Sequence, residues 1–347
     1  MLIVLILLFL LALAALALFI AARLILNKIF GSRCEGNPNI TYFQSSDFPG
    51  LRRCAVSFPS NRGQTLRGYI YSMDRPSYRG VIIFVHGMGG GHTAYMTEIH
   101  TLARAGYLVL GYDNTGTMLS DGADLGGFPQ AFLDLQGAVS FIRNASQYRT
   151  FPLFLVGHSW GAYTVCNFPH LKEHVDGVIA MSPFDSIPNQ LVYLLQSQTG
   201  KKLTFLKPFF SLCLLLDYKG VALYRPSYSL QKITCPVLLL HGDQDPMVPL
   251  SLSPIAFRSS FESDPRIQIQ ICPGRMHNVY ASAEAEEYLN TVFSGYAALE
   301  KQYNGHVPED LRQDYWNKVD FRRMTQEDPA VISLILDFLE QCLPLEK

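Results

Sequence analysis

The sequence predicts an α/β fold in which a mostly parallel sheet is covered by helices on both faces. Short apolar runs typical of buried strands alternate along the chain with segments typical of helices. These runs are separated by Gly, Pro and Asn, and they supply enough apolar residues for a large core. The formal net charge of −1 and the absence of a basic run argue against nucleic acid as a partner.

The first element is an apolar segment at the N-terminus. Met1 to Ala22 contain no charged side chain, and apolar sequence continues to Leu26 with Arg23 as an interruption. About 20 such residues are enough for a helix to cross the bilayer core. A cleaved secretory signal is the alternative, but a charged n-region is missing and the apolar run is longer than usual. We expect an uncleaved, single-pass transmembrane anchor over residues 1–26.

The side of the membrane is indicated less directly. Arg23, Lys28 and Arg33 follow the anchor and no basic residue precedes it, so the positive-inside rule places the body on the cytoplasmic side. The seven cysteines are scattered and lack C-x-x-C spacing, which predicts neither a disulfide framework nor a zinc site. The sequons Asn39-Ile40-Thr41 and Asn144-Ala145-Ser146 would matter only in a secretory path.

A polar linker over residues 27–50 is predicted to lead into one α/β domain over residues 51–347. An antiparallel hairpin of Cys54–Phe58 and Leu66–Met73 opens this domain. Further strands are predicted at Val81–Val85, Tyr107–Tyr112, Pro152–Val156, Gly177–Met181, Val237–His241 and Ile267–Ile271. Helices are predicted at Thr93–Ala105, Phe128–Arg143, Ala162–Phe168, Leu250–Ser260, Ala281–Tyr303 and Ala330–Cys342. Parallel strands place a ligand site at their carboxyl ends.

The most informative motif is the run Gly157-His158-Ser159-Trp160-Gly161, which fits G-x-S-x-G. It follows an apolar strand and precedes a helix, so Ser159 lies on a sharp turn that projects its hydroxyl above the sheet edge. The glycines permit this turn, and the N–H of Trp160 lies at a helix start, where negative charge is stabilised. A serine hydroxyl needs a base and a group that orients the base before it can attack a carbonyl.

Candidates for those two groups follow later in the chain, each beyond the end of a strand. Asp243 and Asp245 lie in the turn after the strand at Val237–His241, and His277 lies in the loop after the last strand. The oxyanion donors have a signal of their own in His86-Gly87-Met88-Gly89-Gly90-Gly91, which follows a strand. A phosphate loop is disfavoured because no Lys-Ser/Thr pair follows these glycines.

In this order of motifs the chain resembles the serine hydrolases of the α/β-hydrolase superfamily, in the lysophospholipase, esterase and serine-aminopeptidase-like branches. The resemblance extends from about Ser57 to the C-terminus. It implies that Ser159 is the nucleophile, Asp245 the acid and His277 the base, with the N–H groups of Met88 and Trp160 as the oxyanion hole. Asp243 is the alternative acid. The resemblance implies no metal and no cofactor, and His86, His158 and His241 are interpreted as supports of tight loops.

Two stretches depart from the regular strand and helix order. Residues 183–233 lie between strands and correspond to a helical cap in this fold, with a strongly apolar part at 203–216. We interpret it as cap helices packed on the domain, with an acyl tunnel or a membrane-dipping cap as the alternative. Residues 279–327 separate His277 from the final helix, and the charged, aromatic part from 305 is interpreted as a solvated surface, with a partner-binding role as the alternative.

These features predict a membrane-anchored serine hydrolase that cleaves carboxylic esters, lipid-like or with other acyl groups, through an acyl-enzyme on Ser159. A peptidase or amidase of the serine-aminopeptidase-like type is the second hypothesis, because that branch shares the signature. An acidic patch in the cap that binds a substrate amine would favour it, whereas the cap here is apolar and mildly basic. A catalytically inactive, tethered binding protein is the third.

Overall fold

The computed structural model describes residues 1–343, which contain one eight-stranded sheet in the order β1-β2-β4-β3-β5-β6-β7-β8. The strands are β1 (Leu51–Pro59), β2 (Thr65–Met73), β3 (Val81–Val85), β4 (Leu108–Tyr112), β5 (Leu153–His158), β6 (Gly177–Met181), β7 (Val237–Gly242) and β8 (Ile267–Cys272). Only the pairings β1 with β2 and β2 with β4 are antiparallel among these strands. The predicted opening hairpin and mostly parallel sheet are confirmed.

Helices cover both faces of this sheet. The helices of the described residues are α1 (Leu2–Phe30), α2 (Met96–Arg104), α3 (Gln130–Asn144), α4 (Trp160–Cys166), α5 (Ile187–Thr199), α6 (Lys207–Tyr218), α7 (Pro226–Ser229), α8 (Ala283–Gln302), α9 (Glu309–Asn317), α10 (Phe321–Met324) and α11 (Pro329–Gln341). In β3, Val81, Ile83 and Val85 pack on the side of α3 and α4, whereas Ile82 and Phe84 pack on the side of α2 and α11. Both faces of the central strands are therefore buried, which explains their continuous apolar runs.

The predicted helix over Leu250–Ser260 is wrong. The segment forms two short 3₁₀ turns, Leu250–Leu252 and Pro254–Ser260. Pro254 lacks a backbone N–H and cannot continue the first turn, and Ser253 instead caps the second turn by accepting a hydrogen bond from Ile255. Phe257 has non-helical dihedral angles inside the second turn, so no continuous α-helix forms.

The apolar N-terminal segment forms helix α1, which continues to Phe30, beyond the predicted end at Leu26. This helix is long and apolar enough to cross a membrane. The last turns of α1 pack on the body. Ala22, Leu26 and Phe30 recur every four residues and are buried against the cap and α4. Arg23 donates a 2.9 Å hydrogen bond to Asp217 of α6, so the charge that interrupts the apolar run is paired.

The cap consists of α5, α6, α7 and short turns between β6 and β7, as the sequence predicts. Helix α6 begins at Lys207 with Pro208 in its first turn, where proline's missing N–H costs nothing. Phe210, Cys213, Leu214 and Tyr218 face the body and are buried. The opposite face of α6 carries exposed leucines, and α6 packs beside α1.

Most residues of 305–327 are exposed, as the interpretation of a solvated surface predicts, but a few aromatic residues of the segment pack on their neighbours. Trp316 of α9 is buried and stacks on Phe321 of α10. Arg322 lies over the rings of Phe43 and Phe48 from the linker, 4.6 and 5.1 Å from their centroids. The aromatic side chains of Trp316 and Phe321 therefore pack on neighbouring elements and are shielded from water.

A buried carboxyl pair yields a stability prediction. Burial raises the pKa of Glu98 in α2 well above its usual range, and the nearby carboxyl of Glu327 raises it further. The folded chain therefore holds this proton to a higher pH than the unfolded chain, so the free energy of unfolding falls as pH rises above about 4.3. Glu98→Gln should flatten this decline and raise the melting temperature at about pH 8.

Thermal unfolding of the full chain in detergent at about pH 5, 6.5 and 8 measures the effect. Glu287→Gln, at an exposed position on α8, is the matched control and should leave the slope unchanged. If the melting temperatures of Glu98→Gln and of the parent changed with pH by the same amount, the assignment of a buried carboxyl group with a raised pKa would be contradicted.

Candidate active site

Ser159 lies on a sharp turn between β5 and α4. Its φ of 55° and ψ of −113° are rare for a residue with a side chain, and such strain persists where neighbours impose it. Glycine is required on both sides: a Cβ on Gly157 would lie 2.4 Å from the carbonyl oxygen of Gly161, and one on Gly161 would lie 1.9 Å from that of Val85. The G-x-S-x-G spacing thus reflects close backbone packing beneath the serine.

Asp245 and His277 meet beside this turn. Nδ1 of His277 lies 2.8 Å from Oδ2 of Asp245, while Oδ1 of Asp245 accepts hydrogen bonds from the N–H groups of Met247 and Val248. The contact leaves Nε2 of His277 as the ring nitrogen available to a serine hydroxyl. Burial favours the protonated carboxyl, but hydrogen bonds from His241 and His277 outweigh it and hold the pKa of Asp245 well below its usual range.

Asp243, the alternative acid, lies elsewhere in the same turn. Its Oδ1 accepts a 2.7 Å hydrogen bond from the N–H of Gly274, and its side chain is exposed. Asp243 therefore ties the β7 and β8 loops together, whereas Asp245 contacts the imidazole of His277.

The loop after β3, which carries Met88, passes next to the turn at Ser159. A Cβ on Gly87 would lie 3.4 Å from the Cβ of Ser159, so the chain immediately before Met88 touches the turn. Trp160 is the first residue of α4, and the first N–H groups of a helix have no partner within it. The Trp160 side chain is buried and donates from Nε1 to the carbonyl of Phe128, 2.8 Å away, which fixes the start of the helix.

His158 links the two loops on either side of the serine. Its Nε2 lies 3.0 Å from the carbonyl oxygen of His277 and must carry the proton, so Nδ1 accepts from the hydroxyl of Tyr95 at 2.9 Å. The Tyr95 oxygen in turn accepts a 3.0 Å hydrogen bond from the N–H of Gly87. Burial and the nearby His277 lower the pKa of His158 to about 3, so this ring stays neutral.

Ser182 and Tyr95 are functional candidates that sequence reasoning missed. Ser182 donates a 2.7 Å hydrogen bond to the carbonyl of His277 and adopts a φ of 55° directly after β6. Its position at the carboxyl end of a strand is the signal that could have found it. Tyr95 has no such signal, because its role depends on contacts with distant residues.

The remaining loop histidines also bind backbone. Nε2 of His86 accepts from the N–H of Asn114 at 2.9 Å, and Nε2 of His241 lies 2.7 Å from the carbonyl of Val248. Both rings are buried. Within residues 1–343, no group of three or more His, Cys, Asp or Glu side chains is arranged to hold a metal ion.

The His158 contacts predict a positioning effect. His158→Phe removes the links to Tyr95 and to the carbonyl of His277 while keeping an aromatic ring. We expect kcat to fall by roughly 10- to 100-fold with little change in KM, because the base and the oxyanion loop lose their mutual alignment. His174→Phe, at an exposed surface position, is the control. Steady-state kinetics in which both variants match the parent would contradict this role.

The chain is similar in sequence and fold to known proteins. The family model described as serine aminopeptidase, S33, matches residues 76–220, a range that includes Met88 and Ser159. The uncharacterized protein YqkD of Bacillus subtilis (strain 168) is 29% identical over 210 residues, which cover 59% of this chain and 67% of YqkD.

Solved structures share the architecture. The Pyrococcus furiosus esterase Pf2001 aligns with a TM-score of 0.57 at 17% identity, covering 76% of this chain and 97% of that one. The Pyrococcus horikoshii acylaminoacyl peptidase aligns with a TM-score of 0.53 at 15% identity over 87% of this chain, which spans only 44% of that larger protein. Similarity at this level of identity shows the fold. The chain therefore has the α/β-hydrolase fold, with the sheet order and the strand-to-helix turn at Ser159 described above.

Proposed function

We propose that this α/β hydrolase is a serine hydrolase that cleaves carboxylic esters through an acyl-enzyme on Ser159. One observation carries the proposal: the strained turn that holds Ser159 lies next to the loop of His277, because His158 bonds to the His277 carbonyl, and the His277 imidazole contacts the buried carboxylate of Asp245. A hydroxyl, a base and a group that orients the base are the parts that nucleophilic acyl transfer requires.

In the proposed reaction, Nε2 of His277 takes the proton of Ser159 as its oxygen attacks the ester carbonyl. The Asp245 carboxylate keeps the proton on Nδ1 and stabilises the imidazolium. The N–H groups of Met88 and Trp160 bind the oxyanion, and each such donor is typically worth about 3–4 kcal/mol. The imidazolium then protonates the leaving alcohol. Water, activated by His277, hydrolyses the acyl-enzyme and releases the acid.

The choice of an ester over a peptide bond follows from the surroundings of the site. A peptidase that selects a free amino terminus needs an ionised carboxylate near the reacting carbonyl. The acidic residue lining the cavity beside Met88 is Glu98, and burial raises its pKa well above the usual range. A buried carboxyl group whose ionisation is disfavoured is a poor partner for an ammonium group, which supports esters with apolar groups.

Labelling and substrate panels test the proposal on the full chain in detergent. A fluorophosphonate probe should label the parent at neutral pH and leave Ser159→Ala unlabelled. Among chromogenic substrates, p-nitrophenyl esters should be cleaved and aminoacyl p-nitroanilides should not. A preference for the anilides would support the peptidase hypothesis, and an unlabelled parent would support an inactive binding protein.

We also propose that α1 anchors the hydrolase in a membrane and places the cap against it. Residues 2–21 span about 30 Å as a helix. The following turns of α1 pack on the body, so only a short stretch of chain separates the membrane-spanning part from the body. The cap next to α1 exposes the apolar side chains Phe205, Leu212, Leu215, Leu216 and Leu223. Exposed Lys201, Lys202 and Lys219 flank them, which suits an interface with anionic headgroups.

The anchor and its orientation are tested on membranes from expressing cells. The full chain should remain in the membrane fraction after alkaline carbonate extraction. With the body on the cytoplasmic side, added protease should degrade it only after the membrane is permeabilised in sealed, right-side-out vesicles. Extraction into the soluble fraction would contradict the anchor, and degradation in intact vesicles would contradict the orientation.

A further inference from the structure

A cavity of about 320 Å³ lies beside the candidate active site. Its walls come from the linker, the loop after β3 with the start of α2, the loop after His277, and helices α8 and α10. Representative lining residues are Tyr42, Met88, Tyr95, Tyr280, Phe293 and Phe321. The described lining contains no residue of the cap at 183–233, so this is not the cap cavity that the sequence leads one to expect.

The cavity adjoins the reacting groups at two points. Met88, whose N–H is the proposed oxyanion donor, lines it, and so does Asn278, the residue after His277. The side chain of Met88 is 44% exposed, so it borders open space at this point and is not part of the packed core. The cavity therefore lies next to the loop of the proposed oxyanion donor and the loop of the proposed base.

Two segments outside the regular order of strands and helices, the linker and residues 279–327, form the cavity walls furthest from the sheet. Arg312 of α9 donates from Nη1 to Oδ1 of Asn39 at 2.7 Å, and Arg322 covers the rings of Phe43 and Phe48. These contacts hold the linker against the segment after His277. The linker and the segment after His277 therefore contact each other where they form the cavity wall.

The alternative place for an apolar group, beneath the cap, is occupied by side chains. Phe128 packs edge-on against Trp160 at 5.7 Å and against Phe30 of α1 at 5.0 Å, measured between ring centroids. Phe184 stacks on Tyr163 at 4.5 Å. These rings fill the cap side of α4, and they belong to one buried cluster with Leu191 and Phe210.

We propose that the cavity binds one apolar group of the ester, and that residues 279–327 together with the linker form the specificity pocket. This inference rests on the proposed function. Its lining is mainly aromatic and aliphatic, which favours a hydrocarbon chain or an aryl group. Its volume is at the lower end of the range of about 300–1,000 Å³ for small-molecule pockets, which favours a group of medium length.

Two variants of the extra segment change the pocket in opposite directions. Leu289→Trp on α8 fills it, and Phe293→Ala enlarges it. Leu119→Ala, at an exposed position in the loop after β4 and outside both the cap and the cavity lining, is the matched control. Each is assayed for kcat/KM with two series, p-nitrophenyl esters of increasing acyl length and acetate esters of increasing alcohol length. The series whose profile changes identifies which side of the ester enters the pocket.

Leu289→Trp should lower kcat/KM for the longest esters of one series by at least about tenfold while sparing the acetate, because a single misfit methylene already costs that much. Phe293→Ala should shift the optimum to longer groups, and Leu119→Ala should follow the parent. A small fluorophosphonate should label Ser159 in all of them. Unchanged profiles with intact labelling would overturn the pocket alone, whereas an unlabelled parent would overturn the proposed function.

Discussion

Ser159→Ala should lower kcat for p-nitrophenyl esters by about 10⁴- to 10⁶-fold, the loss expected when a nucleophile is removed. The reason is chemical, because Ser159 carries the proposed nucleophile on a strained turn next to the loops of Met88 and His277. Fold and stability should be retained, since alanine removes one oxygen, and within residues 1–343 no hydrogen bond to that oxygen is seen. Steady-state kinetics on the full chain in detergent measure the effect.

Ser140→Ala on α3 serves as the control, because this serine bonds only to Glu173 on the distant surface in the described hydrogen bonds. It should match the parent. If Ser159→Ala kept more than about a hundredth of the parent's kcat after repurification, another group would have to be the nucleophile.

Asp245→Asn should lower kcat by about 10⁴-fold with little change in KM. An amide can donate to Nδ1 of His277 and so favour the tautomer that carries no lone pair toward Ser159. The same change should alter how the free energy of unfolding depends on pH in the acid range. The folded pKa of Asp245 lies below its usual range, so the carboxylate stabilises the fold above the unfolded pKa, and this contribution is lost as pH falls. The Asn variant should therefore lose less stability on acidification.

Asp243→Asn is the matched control for this prediction, two residues away in the same turn. Its carboxylate accepts from Gly274 and does not contact His277 in the described hydrogen bonds. We expect kcat within a fewfold of the parent. A larger loss in Asp243→Asn than in Asp245→Asn would assign the acid to Asp243, the alternative that the sequence left open.

The positions of Ser159, Asp245 and His277 could be predicted because each follows directly from a strand. Parallel strands end at one edge of the sheet, so residues far apart in sequence are expected at the same edge once their strands are recognised, and the contact between Asp245 and His277 agrees with this. The strands themselves were recognisable because β3, β5, β6 and β7 are buried on both faces and therefore read as unbroken apolar runs.

The rest depended on contacts that local sequence does not encode. The roles of Tyr95 and Ser182 arise from hydrogen bonds to His158 and His277, which lie far away in the chain. Trp316 is buried by its packing against α8 and α10, and no periodic pattern in the sequence predicted that packing. The misassigned helix at Leu250–Ser260 shows the opposite error, since an apolar segment was taken as helical although Pro254 breaks it.

Peptide mapping of the fluorophosphonate adduct by mass spectrometry is the most direct measurement of whether Ser159 is activated by His277. On the full chain, the adduct should fall on the peptide containing Ser159, and the labelling rate should drop by at least about 10³-fold in His277→Ala. An adduct on another residue, or an undiminished rate in His277→Ala, would contradict the catalytic assignment and leave an α/β-hydrolase fold without the proposed chemistry.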